Sequence, residues 1–465
     1  MSKPVLTDLT AVESRTLLDA RAITAIELLD AVVARHRGIH AAINAIVATD
    51  LDAAFRAAAE ADERFARGEC LSPVDGIPVT VKDNIGVRGM VASWGSRLFA
   101  DHLCDRDDIA VERLRSAGAV IWCKTNTPEF ALAGTTENSL FGITRNPLDT
   151  RLTPGGSSGG AAAALAAGVG ALALATDAGG SARRPAAFTG TVGFRPSTGR
   201  IPRGAVFPNT THDLQTLAPM ARTVGDVRML YQALAGPDRR DRTSLAQPSS
   251  RRDFGSPLRI NMFRSVSDKI VDQKILIALD DAASRLRDRG CDVREVAAPF
   301  DLARIERIWS VLISTFATAF VDEHDKWDGF SGTIQGLAKA GASMTAVNFR
   351  AVLEDIQHIR REVDELFAGV DAFLCPTSPC FPWPADAPFP GQINGTPASL
   401  RDTAIFLPFA NVAGLPAISI PTPGKVQPIG LQLIGNFAED EHLLDIAALL
   451  EGSFATASEK HRPSD

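Results

Sequence analysis

The segment that most constrains this chain is residues 154–196, PGGSSGGAAAALAAGVGALALATDAGGSARRPAAFTGTVGFRP. Between Ser158 and Asp177 it carries no charge, and nearly every side chain is small or aliphatic. Such a stretch must be covered on all sides. Its apolar run, near 161–175, reaches about 15 residues and is interrupted by Gly168 and Gly170, whereas crossing a bilayer of about 30 Å takes about 20. The expectation is therefore a buried central helix and strand, pinned between two glycine-serine loops, GGSSGG at 155–160 and DAGGS at 177–181.

The flanking sequence supplies elements to cover it. Residues 8–68 have helical apolar spacing through Leu17, Leu18, Ile26, Leu28, Leu29 and Val32. After Pro73 short apolar runs alternate with glycine, as in GIPVTVKDNIG and GAVIWCKTN, and read as strands. Residues 270–290 predict an amphipathic helix and 300–368 a mostly helical stretch with Trp309 and Trp327; ISIP (418–421) and IGLQLIG (429–435) predict strands before a closing helix from about Glu441. Residues 236–258 read as a loop: Arg239, Arg240, Arg242, Arg251 and Arg252 cluster there among Asp238, Asp241 and Asp253, between Pro237, Pro248 and Pro257, which fits a solvated connection. The pattern is α/β, with a single domain over 1–465 as the default.

With 45% apolar and 22% charged residues the chain can bury a large core, and its net charge of −7 is spread without a basic block. That excludes the electrostatic footprint of a nucleic-acid binder and favours small-molecule chemistry. Cys70, Cys104, Cys123, Cys291, Cys375 and Cys380 show neither zinc-site spacing nor disulfide-scaffold density, so free thiols in a reducing compartment are expected. The opening MSKPVLTDLTAVESR lacks a cationic start followed by an apolar core. A cytoplasmic protein with no membrane association follows as the expectation.

Glycines in the two loops let consecutive N–H groups converge on an anion, as an oxyanion hole or a phosphate cradle requires. A Walker-type cradle needs a following Gly-Lys-Ser/Thr, which neither loop has. Gly156-Ser157-Ser158-Gly159-Gly160 also matches G-x-S-x-G with Ser158 as nucleophile, an esterase-like alternative that demands a downstream acid and histidine. His212, His324, His358, His442 and His461 are the candidates, and none lies in a glycine-rich turn at a strand end. A second version needs no histidine: Lys82, inside the apolar run IPVTVKDNI, would lose its proton on burial and serve as a general base. Against it stands the plain reading of Lys82 as an ion-pair partner of Asp83.

GIPVTVKDNI, KTNTPEFA, RNPLDTRLTPGGSSGGAAAALAAG, TDAGGSARRPAAFTGTVGFRPSTGR, NVAGLPAISIP and PIGLQLIG together resemble the amidase signature family. The likeness runs in order from about residue 10 to 235 and again from about 370 to 452, with a core at about 70–235 and 370–452 and a variable, mostly helical segment at about 240–365. It implies a central mixed, twisted β-sheet covered by helices on both faces, and a Ser–cis-Ser–Lys triad that falls on Ser181, Ser157 and Lys82. By this resemblance Ser181 attacks a carboxamide carbonyl and Ser157 relays protons to and from Lys82. The N–H groups of Ala178, Gly179, Gly180 and Ser181 hold the oxyanion, where one donor is worth about 3 kcal/mol of barrier. Thr153, Ser158, Asp177 and Arg183 are expected to tie the loops. No metal or cofactor is implied.

One departure concerns substrate. Arg183 is followed by Arg184, and in malonamidase-like members an arginine three past the serine contacts a substrate carboxylate. Arg184 thus points to a carboxylate-bearing amide, the alternative being that it pairs with a protein carboxylate. Specificity is otherwise expected from the 240–365 segment and the apolar groups near Trp94, Phe130 and Trp309. The expected partner is a small-molecule amide, cleaved to a carboxylate and ammonia or an amine, in a protein that assembles, if at all, as a homodimer. An amidotransferase component that works with partner chains is the other family reading.

Overall fold

The computed structural model describes residues 4–204, 206–244, 257–324, 327–423 and 427–454. Pro248, Arg251, Arg252, Asp253 and His461 lie outside the described residues. Eleven strands form one sheet: β1 Ile46–Thr49, β2 Pro78–Lys82, β3 Val120–Thr125, β4 Leu172–Asp177, β5 Val192–Arg195, β6 Thr216–Ala221, β7 Arg259–Met262, β8 Asp292–Glu295, β9 Ala372–Pro376, β10 Ala417–Pro421 and β11 Gly430–Ile434. Their spatial order is β1-β3-β2-β4-β6-β5-β10-β11-β9-β7-β8. β2 runs parallel to both β3 and β4, and β9 parallel to β7, which is parallel to β8; the remaining neighbours are antiparallel. The sheet is therefore mixed, and helices flank it. Every residue of β2, β3 and β4 is buried, as expected of parallel strands covered on both faces.

The 8–68 region is not wholly helical. Helices Ala11–Asp19, Ala25–Ile43 and Leu51–Arg67 form, each begun by Thr10, Thr24 or Asp50 accepting a backbone N–H, but β1 intervenes. Asn44, at φ 48°, ends the second helix, and the β-branched Ile46-Val47 start an edge strand antiparallel to β3. The Arg240 guanidinium of the 236–258 loop is held by Asp238 and Glu112, in keeping with a solvated connection. Downstream, helices Gln273–Asp288, Leu302–His324, Gly332–Gly341, Ala346–Leu366 and Asp440–Phe454 stand where the spacing predicts them.

One apolar cluster joins the N-terminal and C-terminal helices to the sheet through Leu29, Val81, Trp122, Leu230 and Leu443. A second joins helices Leu302–His324 and Ala346–Leu366 to the sheet through Ile308, Ile356, Phe373 and Phe406. Among the described residues no helix is long and apolar enough to cross a membrane.

The apolar run at 154–196 becomes two elements. Helix Gly159–Ala166 stops after eight residues, Gly168 (φ 73°) and Gly170 (φ 91°) turn the chain, and β4 follows. Apart from Leu165 the helix is alanine and glycine because its backbone presses close to its surroundings: Ala161, Ala162 and Leu165 pack on Ala173, Ala175, Ala182, Ala186 and Ala218. At Gly160 a Cβ would stand 2.5 and 2.6 Å from the N and O of Asn126 and 2.8 Å from the Ala45 carbonyl. These are backbone atoms and cannot swing aside. Gly160→Ala should therefore lower stability by about 1–3 kcal/mol, read as a lower urea midpoint at unchanged slope.

Candidate active site

β2 and β4 are parallel neighbours that end at the same edge of the sheet, with Lys82 the last residue of one and Thr176-Asp177 the last two of the other. The C-terminal edge of parallel strands is where α/β sheets open crevices. Here the edge gathers hydroxyls around one amine. Lys82 Nζ lies 2.7 Å from Ser157 Oγ, 3.0 Å from Ser158 Oγ and 3.0 Å from Thr176 Oγ1, and all four side chains are fully buried. Ser158 donates its hydroxyl to the Thr176 carbonyl (3.1 Å), and Asn84 Nδ2 donates to Thr176 Oγ1 (3.0 Å).

Burial pushes the Lys82 ammonium down to about 7; the Asp177 charge opposes this and Arg203 reinforces it. A neutral amine has two N–H donors and one lone pair. The oxygens of Ser158 and Thr176 can take the two donors, because the Ser158 proton is already spent on a carbonyl. That leaves the lone pair facing the Ser157 hydroxyl.

The ion-pair reading of Lys82 with Asp83 does not hold. Adjacent strand residues project to opposite faces. Asp83 instead lies 4.0 Å from a second buried lysine, Lys124, and accepts from the Ser93 N–H at 3.1 Å and from its hydroxyl.

The peptide bond between Gly156 and Ser157 is cis. Thr153 Oγ1 accepts the Gly155 N–H at 3.0 Å, and Thr136 Oγ1 donates to the Gly155 carbonyl at 2.9 Å, so the first loop is fixed from both sides. The second loop folds around the Asp177 carboxylate, which accepts the N–H groups of Gly180 (2.8 Å), Ala182 (3.2 Å) and Arg183 (3.4 Å). The loops meet where Ser158 N–H donates to the Ser181 carbonyl at 3.0 Å. Ser181, half-buried, lines a cavity of about 290 Å³ together with Gly156, Gly179, Arg184, Trp309 and Leu400.

Of the four N–H groups expected to face an oxyanion, that of Gly180 donates to Asp177, and among the described residues no backbone hydrogen bond engages those of Ala178, Gly179 and Ser181. Glycine at 179 also has a packing reason: a Cβ would come within 2.7 Å of the Trp309 ring.

Asp177 and Arg183 are fully buried and paired, Nε to Oδ2 at 3.0 Å and Nη2 to Oδ1 at 2.9 Å. Burial alone would raise the Asp177 carboxyl, but Arg183 and the Asn411 amide (2.9 Å) more than offset it and hold it well below the usual carboxylate range. Arg183 spends its remaining donors on Gln432 Oε1 (2.6 Å), the Leu407 carbonyl (3.1 Å) and Asn411 Oδ1 (2.5 Å). Asn411, Gln432, Thr176 and Asn84 are not among the residues expected at the site from sequence. The signal is present, since each is a polar residue inside an otherwise apolar motif: NVAGLPA, GLQLIG, LALATD and VKDNI.

Trp309 lines the cavity, whereas Trp94 and Phe130 do not. They pack behind its wall in an aromatic cluster with Phe99, Phe207 and Phe320, with Trp94 stacked on Phe207 at 4.6 Å. Both stand at backbone of positive φ, 53° in each case. Arg184 is 6% exposed, its Nε has no partner, and no side-chain ion pair or hydrogen bond engages it among the described residues. Burial lowers it to about 10, still charged at neutral pH, and burial also pushes the nearby Cys380 thiol up to about 11, so that group is a neutral neighbour. The protein-carboxylate alternative for Arg184 thus has no partner among the described residues.

The described candidate histidines are elsewhere: His212 beside Asp213, His324 on the Phe320 carbonyl, His358 on helix Ala346–Leu366 and His442 beside Asp371. No group of three or more His, Cys, Asp or Glu side chains gathers as a metal site among the described residues. Removing one member of the buried pair tests how much the second loop depends on it. Arg183→Ala strands the Asp177 carboxylate and should cost about 3–5 kcal/mol of unfolding free energy in urea titration.

A family model described as Amidase matches residues 27–444. The A-type subunit of the glutamyl-tRNA(Gln) amidotransferase of Symbiobacterium thermophilum is 33% identical over 472 residues, covering 94% of this chain and 95% of that one. Two solved structures share the fold. A bacterial aryl acylamidase of the amidase signature enzymes has a TM-score of 0.86 at 26% identity over 98% of this chain and 99% of its own. The peptide amidase of Stenotrophomonas maltophilia has 0.80 at 26% over 96% and 97%. With a family model over nearly its whole length and solved amidases on the same fold, this chain belongs to the amidase signature family.

Proposed function

We propose that this protein is a metal-independent amidohydrolase in which Ser181 attacks a small-molecule carboxamide. The observation that carries the reading is the fully buried Lys82 amine, lowered to about 7 and 2.7 Å from Ser157 Oγ. In the proposed cycle Ser181 Oγ bonds to the carbonyl carbon while its proton passes to Ser157 Oγ and the Ser157 proton to Lys82 Nζ. The N–H groups of Ala178, Gly179 and Ser181 stabilise the oxyanion. Lys82 then returns its proton through Ser157 to the leaving nitrogen, the C–N bond breaks, and ammonia or an amine departs. Water cleaves the acyl-enzyme by the same relay, releasing the carboxylate and restoring Ser181. An ester could enter the same cycle. The chain would work as a single domain, and Thr153, Ser158, Asp177 and Arg183 would hold the loops.

Arg184 narrows the substrate. A nearly buried guanidinium on the cavity wall, without a side-chain partner among the described residues, is expensive unless something anionic completes it, which supports an amide bearing a second carboxylate. Trp309, Leu400 and Ile313 would cover its apolar part. A second reading, an amidotransferase component of the same A type that works with partner chains, is favoured by the curated relatives, which are named as such at 31–34% identity. Ammonia release separates the two. The isolated chain should deaminate a carboxylate-bearing amide, and Ser181→Ala and Lys82→Ala should each lower kcat by at least about 10³-fold. Release from no amide until partner chains are added would favour the amidotransferase reading.

The pH profile tests the base itself. A lysine must be neutral to accept a proton, so kcat/KM should climb with pH and level off above about 7. A rate flat from roughly pH 5 to 9 would count against a lysine base.

A further inference from the structure

We infer that Gly134 is a specificity-determining residue: its missing side chain is the space into which the Arg184 guanidinium projects, so Gly134 positions the group that reads the substrate carboxylate. This rests on the amidohydrolase reading above and deepens it. Gly134 is buried and lines the same cavity as Ser181, Gly156 and Arg184. A Cβ built there would stand 2.4 Å from Arg184 Nη1, with Arg184 Cζ and Leu400 Cδ1 next, each at 3.5 Å.

The backbone gives no other reason for glycine at 134, which is not among the residues of positive φ. Nor does a Cβ there meet backbone, as it would at Gly156, where the Thr135 carbonyl oxygen lies 2.3 Å away. Of the nearest atoms, added bulk at 134 clashes with the tip of one long side chain, which can swing away without unfolding its surroundings, while Leu400 stays at ordinary contact distance. The chain should tolerate Gly134→Ala as a fold while the guanidinium loses its place. A charged group misplaced by even about an ångström forfeits a directional, charge-assisted hydrogen bond.

The test is a double-mutant cycle on the full chain with succinamate as the anionic probe and butanamide as the neutral one, reading kcat/KM for each. In wild type succinamate should be preferred. Gly134→Ala should lower that preference by about tenfold or more, mainly through a higher KM for succinamate, the size expected for one hydrogen bond to a charged group. In the Arg184→Ala background, where preference is already lost, the same change should move the ratio less than about twofold.

A wild-type preference that survives Gly134→Ala, or that falls equally with and without the Arg184 guanidinium, overturns the assignment of Gly134 alone. A wild type with no preference for succinamate overturns the carboxylate reading and the Gly134 assignment with it. Turnover of butanamide by each variant shows which proteins are folded and competent, so loss of the fold cannot pass for loss of selectivity.

Discussion

The buried charge pair between Asp177 and Arg183 is the interaction on which the rest of the site depends. Neither group reaches water, and each is satisfied only because the other and several amides converge on it. The carboxylate takes N–H groups from the turn that follows it and so folds Ala178–Ala182 into a loop of fixed shape. The guanidinium ties that loop to Asn411, on helix Pro408–Ala413, and to Gln432, on β11, both more than 200 positions away. A buried pair of this kind contributes little net stability. What it fixes is geometry: the turn cannot relax without stranding a charge.

Lys82 sits under the opposite constraint. Among the described residues its contacts are hydroxyls and no carboxylate, so the cost of burying an ammonium is offset only in part, and the proton becomes easy to lose. Asp177 pulls the proton back in part, but its carboxylate is paired with Arg183 and burial outweighs it. The stranded lysine thus depends on the satisfied pair. Asp83 is likewise kept from it, turned to the other face and matched with Lys124. Two buried lysines on neighbouring strands thus differ in what they face, Lys124 a carboxylate and Lys82 a set of hydroxyls.

These relations decide what the sequence makes legible. The glycine-serine loops and the apolar run between them fix the centre of the fold because small residues over that length allow few environments. The parallel strands follow from VTV and VIW, and the C-terminal helices from their spacing. The strand at Ile46–Thr49 escapes a helical reading of 8–68 because four residues at a sheet edge carry too short a pattern to interrupt two strong amphipathic helices. Trp94 and Phe130 mislead for another reason. A large aromatic near a site motif suits either a cavity wall or the core behind it, and only the tertiary packing separates the two. Asn411 and Gln432 are visible as polar breaks in apolar strings, but their partner lies more than 200 residues away, and spacing along a chain says nothing of contacts at that range.

The cavity divides along the same line. Its floor, Gly156, Gly179 and Ser181, comes from loops locked by buried hydrogen bonds, where a change of one atom meets backbone or a packed ring. Its wall comes from Leu302, Trp309 and Ile313 on a long helix, from Leu400 and Arg401 beyond it, and from the 131–134 segment, where side chains meet side chains and can be exchanged. Close packing therefore makes the chemistry rigid and leaves recognition adjustable. Arg184 belongs to both: its backbone N–H donates to the Gly180 carbonyl within the locked turn, while its guanidinium reaches the exchangeable wall. A cation anchored at one end by the loop that carries Ser181, and lodged at the other against a single glycine, holds a fixed relation to the reacting bond. That is the condition under which charge recognition translates into the orientation of a substrate.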